Sequence, residues 1–213
     1  TNQHKTISAL AANVQDEDGT PIGDLVAIDT YLSEATNFKA ASGGSGASRL
    51  FSQTADGVLI SDTTEQSLIG SGEGSLRIEA NSLKVGDSFK VKVGGILNSS
   101  TTAIADIYVR INSLNLFVVQ SLSLDESLGN GFDITSIFTV RDIGSGGVLF
   151  SINSFTYSKT EVTASDTTIL GKILSDSAAI DTTISNDLDV FFRFSKKSKN
   201  DSIQSTYCVF QKT

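Results

Sequence analysis

At 213 residues the chain is long enough to bury one sizeable core, and an all-β protein of this length is commonly a single domain. Hydrophobic residues make up 39% of it and charged residues only 19%, with a formal charge of −8. That field excludes binding to DNA or RNA through phosphate neutralisation, and it argues against docking on anionic membranes.

The first 48 residues differ from the rest. Two weakly apolar segments, Ile7 to Val14 and Leu25 to Leu32, are separated by the acidic turn Asp16-Glu17-Asp18-Gly19-Thr20-Pro21. An EF-hand loop needs glycine at its sixth position and glutamate at its twelfth. Here Gly19 is fourth counting from Asp16 and no such glutamate follows, so the stretch reads as an exposed turn and no metal site is predicted. The run Ala40-Ala41-Ser42-Gly43-Gly44-Ser45-Gly46-Ala47-Ser48 is a flexible linker by composition. The predicted division is therefore 1–48, an N-terminal arm with its Gly/Ser linker, and 49–213, the β domain. An apolar arm on a glycine hinge needs a surface to cover, as assembly devices do. Thr1 is small enough to follow a removed initiator methionine and the chain has no other Met, so it reads as nearly a whole gene product.

Residues 67–89 read SLIGSGEGSLRIEANSLKVGDSF, and Gly70, Gly72 and Gly74 raise the question of a phosphate cradle. A dinucleotide fingerprint requires G-x-G-x-x-G, but Ser75 holds the sixth position, and no Gly-Lys-Ser/Thr closes a phosphate loop. Both motifs also lead from a strand into a helix N-terminus. Here Ser75-Leu76-Arg77-Ile78 alternates like a strand and Ala80-Asn81-Ser82 reads as a turn. The glycines are therefore a turn leading into a strand, and no cofactor is predicted.

From Arg49 onward the pattern predicts eight to ten strands. Phe89, Val91 and Val93 alternate with Lys90 and Lys92, and Ala105, Ile107, Val109 and Ile111 with Asp106, Tyr108 and Arg110. Leu114 to Gln120 is a further run. Phe132, Ile134, Phe138 and Val140 oppose Asp133, Thr135, Thr139 and Arg141, and Val148 to Tyr157 follows. The long connection from Val162 to Asn186 contains Ile169-Leu170-Gly171-Lys172-Ile173-Leu174, a short helix or an extra edge strand. Leu188, Val190, Phe192 and Phe194 share one face against Asp187, Asp189 and Arg193, and Ile203 to Phe210 closes the series. Phe192 is thus expected to be buried, with Phe191 at an edge or subunit contact.

Turn clusters separate the runs at Gly94-Gly95, Asn98-Ser99-Ser100, Asn112-Ser113, Gly129-Asn130-Gly131 and Gly144-Ser145-Gly146-Gly147. Lys196-Lys197-Ser198-Lys199, the lone basic cluster, reads as a solvated hairpin tip. Many short strands, glycine turns and a single proline define an antiparallel sandwich or barrel.

Candidate chemistry is sparse. The single cysteine, Cys208, sits in an alternating run where a small semi-apolar side chain belongs, and the single histidine, His4, lies at the N-terminus. With no disulfide, no signal peptide and no apolar run near the ~20 residues of a membrane span, folding in a reducing cytosol is expected. The pairs Asp125-Glu126 and Asp187/Asp189 are the carboxylates a glycosidase reading would need. Nothing in the sequence places either in a cleft, so no catalytic residue is assigned and the protein is read as not an enzyme.

The order and spacing of several pieces resemble a family. Ser67 to Leu76 and Asn81-Ser82-Leu83-Lys84-Val85-Gly86-Asp87-Ser88-Phe89, then Gly94-Gly95, are similar to a jelly-roll module recurrent in virion surface proteins. The resemblance continues through Phe138 to Gly144, Ser154-Phe155-Thr156-Tyr157, Asp181 to Val190 and Asn200 to Ser205, covering roughly residues 67–213. It points to the capsid-vertex (penton) proteins of large icosahedral double-stranded DNA viruses of algae, chlorovirus-like, and also to the heads of trimeric fibres and spikes. The implied fold is a single jelly-roll antiparallel β-sandwich with a short N-terminal arm. A fibre head follows a long shaft or collagen-like repeat, and the chain shows none, which favours the vertex protein. The resemblance then implies a virion subunit assembled in the host cytoplasm, in a homo-oligomer, a pentamer at the fivefold vertex, beside neighbouring capsid proteins. A trimeric head or a carbohydrate-binding module contacting a host cell-surface glycan is the alternative. It implies no catalytic residue, cofactor, nucleic acid or membrane span.

Overall fold

The computed structural model describes residues 48–159 and 169–213. The arm before Ser48, its acidic turn and His4 lie outside the described residues, as does 160–168 of the long connection.

Strands alone are found among the described residues. They are β1 (Ser48–Gln53), β2 (Gln66–Ser67), β3 (Gly72–Gly74), β4 (Arg77–Ile78), β5 (Ser88–Ser99) and β6 (Ile104–Ile111). There follow β7 (Leu114–Ser123), β8 (Ser127–Asp142), β9 (Gly147–Ser158), β10 (Ile169–Ile180), β11 (Asn186–Lys196) and β12 (Ser202–Lys212). This exceeds the expected eight to ten because β2, β3 and β4 span only two or three residues each. The 169–174 segment belongs to an edge strand, β10, rather than a helix.

All pairings are antiparallel and form two sheets, a seven-stranded one ordered β10-β9-β8-β5-β12-β1-β3 and a five-stranded one ordered β2-β11-β6-β7, with β4 pairing β11. The fold is a two-sheet β-sandwich. β5 lies beside β12 in one sheet and β6 beside β11 in the other, the nested pairing of a jelly roll; β8, β9 and β10 run on as a meander.

Period-two alternation builds the core. In β11 Leu188, Val190, Phe192 and Phe194 are buried, and Phe192 meets Phe194 edge to face at 4.9 Å. On the other sheet Phe89, Phe138 and Phe210 stack on one another across β5, β8 and β12 with ring centroids 5.2–6.3 Å apart.

Three glycine clusters act differently from their expected turns. Gly94 and Gly95 lie inside β5, opposite a bulge of β12 between Ser205 and Tyr207, where a Cβ on Gly95 would run into the Gln204 carbonyl. Asn98 and Ser99 continue β5, and the turn starts at Ser100. Gly129-Asn130-Gly131 lies within β8, with Gly129 at φ +69°. Gly72-Glu73-Gly74 is itself the edge strand β3 against β1, and side chains at Gly72 or Gly74 would strike the Ser52 or Leu50 carbonyl. Backbone approach, not phosphate, is why glycine stands there.

Candidate functional site

The acidic pairs from the sequence are occupied by local partners. Asp187 receives two bonds from Arg77, Nε to Oδ1 at 2.7 Å and Nη2 to Oδ2 at 3.0 Å, and that pairing holds its carboxyl below the usual range. Asp189 is half-buried. Loss of water pushes its carboxyl up, opposed by a hydrogen bond from Ser67 Oγ at 2.6 Å. The Asp125 N–H donates to Tyr157 Oη at 2.9 Å, while Glu126 borders a cleft at one end of the sandwich. Cys208 is buried, its thiol pushed up to about 12 by loss of solvent, so it stays protonated and inert.

The outer face of the five-stranded sheet is closed by its own charges. Asp106, 3% exposed, accepts from Arg193 Nε at 2.7 Å and from the Ser121 N–H at 2.8 Å. Arg110 forms a bidentate pair with Glu65 and lies over the Tyr108 and Phe191 rings at 4.2 and 5.0 Å. The expected solvent side of β6 is therefore largely buried: Tyr108, 5% exposed, sits beneath that guanidinium. Phe191, expected at an edge or contact, has its ring occupied within the chain by Arg110.

The outer face of the seven-stranded sheet is the opposite. Register places Ile152, Ile137, Lys90, Gln211 and Arg49 in one row across five strands. The adjoining row carries Ser154, Thr135, Lys92 and Val209, and the next Thr156, Asp133, Gly94 and Tyr207. Ile152, Ile137, Ile96 and Tyr207 are 51, 41, 46 and 44% exposed. Lys92 pairs with Asp133 at 3.0 Å, whereas Lys90, Arg49 and Arg141 take part in none of the ion pairs among the described residues.

Behind the two isoleucines the polarity of the strands is inverted. Ser136, Ser151 and Asn153 face the core at positions where apolar residues belong, and all are buried. Asn153 Nδ2 and Ser151 Oγ both donate to the Leu116 carbonyl of β7, at 2.8 and 3.1 Å, and Ser136 Oγ donates to Asn153 Oδ1 at 2.5 Å. The signal was present in the sequence as Ser136-Ile137 and Ser151-Ile152-Asn153, a polar-in, apolar-out reversal within otherwise regular alternation. Its meaning depends on the register that sets Ile137 beside Ile152 and Ser136 beside Asn153.

The cleft beside Glu126 measures about 290 Å³ and is lined by Ser99, Ser100, Leu128, Ser198, Lys199 and Asp201 among others. Asp201 organises it, accepting from Ser100 N–H at 2.7 Å, Ser198 N–H at 2.5 Å and Ser100 Oγ at 3.2 Å. The hydroxyls of the lining are engaged within the chain, Ser99 Oγ donating to the Asp125 carbonyl at 2.7 Å and Ser100 Oγ to Ser198 Oγ and Asp201, while the side chains of Glu126, Lys199 and Asn200 are exposed at its rim.

Fold and surfaces together define an antiparallel two-sheet β-sandwich with one sealed and one open sheet face. No family model and no curated protein sequence matches the chain. Among solved structures, the CBM2 module of the evolved Dit protein of Lactobacillus casei BL23 phage J-1 is similar at 10% identity and a TM-score of 0.34, covering 78% of this chain and 95% of that one.

Proposed function

We propose that this protein is a virion structural subunit, a capsid-vertex (penton) protein of an icosahedral double-stranded DNA virus, with no catalytic activity. One observation carries the reading: the segments that resemble the jelly-roll virion module fall in order along one sandwich. The Asn81 to Phe89 piece forms the turn into β5, in which the Lys84 N–H donates to Asp87 Oδ2 at 3.0 Å and Asn81 takes φ 58°. The Phe138 to Gly144 piece ends β8, and the Asp181 to Val190 piece enters β11 through Asn186, whose Nδ2 holds the Asp181 and Ile184 carbonyls. Chain acidity suits a subunit that need not touch the genome.

Imaging of assembled particles, with copies of this chain counted around the axis it occupies, tests the proposal. Five copies at a vertex is the expected result. Three copies on a projecting spike moves the protein to a fibre head. The second reading, attachment to a host glycan, is favoured by the cleft that the exposed side chains of Glu126, Lys199 and Asn200 border, and it predicts glycan binding by the isolated chain.

A further inference from the structure

We propose that the cleft at the end of the sandwich binds one ring of an uncharged saccharide, held by Glu126, Lys199 and Asn200. The inference rests on the second reading above, attachment to a host glycan, and names the sugar class and the side chains that select it. The polar groups of the cleft fall into two sets. Those of the inner wall bond to one another: Ser99 Oγ donates to the Asp125 carbonyl, Ser100 Oγ to Ser198 Oγ at 3.1 Å, and the buried Asp201 carboxylate accepts from the Ser100 and Ser198 N–H groups. These bonds fix the β5–β6 turn, the β7–β8 turn and the β11–β12 hairpin against one another. The rim set is uncommitted. Glu126 and Lys199 enter none of the ion pairs among the described residues, and neither they nor Asn200 engage a side-chain atom in a hydrogen bond there. A frame locked by its own bonds thus presents a free acceptor, a free donor and an amide that is both, as a pre-formed polar site does.

The chemistry of the rim eliminates other ligands. A phosphate group would find one ammonium and be repelled by Glu126. A calcium ion takes about six to eight oxygens, whereas Glu126 is the one uncommitted carboxylate of the lining among the described residues. A flat aromatic ligand finds no ring to stack on, since none lines the cleft there. A charged sugar, acidic or basic, meets one like charge for each opposite one and loses hydration without gain. A neutral polyol fits all three side chains: vicinal hydroxyls donate to the Glu126 carboxylate, while Lys199 and Asn200 donate to sugar oxygens. Leu128, 58% exposed, gives the C–H face of a pyranose an apolar contact. The volume of about 290 Å³ lies at the lower edge of the ~300–1,000 Å³ of small-molecule sites, so a single ring rather than an extended chain occupies it.

Saturation-transfer NMR on the full chain tests this, with the methyl hexopyranosides of glucose, galactose and mannose as neutral probes and glucuronate, glucosamine and glycine as charged ones. Expected is binding of at least one neutral glycoside with a Kd of ~1 mM, and binding of every charged probe about tenfold weaker. Glu126→Ala and Asn200→Ala should each weaken the neutral sugar about tenfold or more at unchanged melting temperature. Lys196→Ala, exposed at the end of β11 but outside the lining, should not. Lys199 should react with an amine-acylating reagent in the free chain and be protected by the sugar. A Lys199 already shielded in the free full chain means that the chain itself fills the cleft, and overturns the proposal. Silence from every neutral glycoside overturns it too, as does a preference for any charged probe. A glycoside bound equally by wild type and both variants sinks this cleft and leaves attachment to a host glycan standing. Particles that attach undiminished to host cells stripped of their glycans, while the chain still binds the glycoside through Glu126, sink the attachment reading and leave the site standing.

Discussion

Asn153 on β9 reaches across the sandwich to Leu116 on β7, its Nδ2 donating to the Leu116 carbonyl at 2.8 Å. β7 has β6 on one side only, and Leu116 falls at the register shift between Asn115 and Phe117, so its carbonyl is met by Asn153 and Ser151 from the facing sheet. A side chain from the facing sheet thus completes an edge strand, and the two sheets are tied by a hydrogen bond as well as by apolar contact. Asn153→Leu should cost about 1–3 kcal/mol although it adds apolar surface, because it strips the carbonyl of its shorter bond and Ser136 of its acceptor. Urea unfolding checks this. A variant as stable as wild type would mean that Ser151 alone suffices.

The two neighbouring phenylalanines of β11 should separate cleanly. Phe192 is fully buried against Phe194, and Phe192→Ala should lose ~3–5 kcal/mol of stability. Phe191 faces outward under the Arg110 guanidinium, and Phe191→Ala should cost only about 1 kcal/mol. Equal losses in denaturant titration would contradict the register of β11 against β6.

Gly95 is a packing requirement and Gly131 is not. A methyl at Gly95 would lie 2.7 Å from Ser205 Cα and closer still to the Gln204 carbonyl, so Gly95→Ala should cost about 1–3 kcal/mol by forcing the β12 bulge apart. At Gly131 the nearest atom is 3.9 Å away, and Gly131→Ala should stay within about 0.5 kcal/mol. Thermal melts of the two variants decide it.

Asp189 should give a pH signature. Burial raises its carboxyl above the ordinary value, with the Ser67 hydrogen bond and the charge of Arg110 opposing. The folded state therefore holds this proton more tightly than the unfolded chain. Its stabilising contribution is present while both states are protonated and is lost as pH rises from the ordinary Asp value through the raised one. Measured against Asp189→Asn between about pH 3 and pH 7, the wild-type melting temperature should fall relative to the variant through that window and then level off. A constant offset would show that Asp189 titrates alike in both states.

Period-two alternation was enough, without any structure, to make β5, β6, β8, β9, β11 and β12 strands and to bury Phe192, because side-chain direction along a strand is a local property. Tertiary structure decided what depends on which strands become neighbours. Gly94-Gly95 looked like a turn and lies inside β5 opposite the β12 bulge, because only the approach of β12 shows why no side chain fits at Gly95. Asp106 and Tyr108 looked solvated and are buried, because Arg193, Glu65 and Arg110 converge on them from β11, the β1–β2 connection and β6. The reversed polarity of Ser136-Ile137 and Ser151-Ile152-Asn153 stands in the sequence, but cross-strand register alone brings the two isoleucines together on one open face and aims Asn153 at a carbonyl 37 residues away.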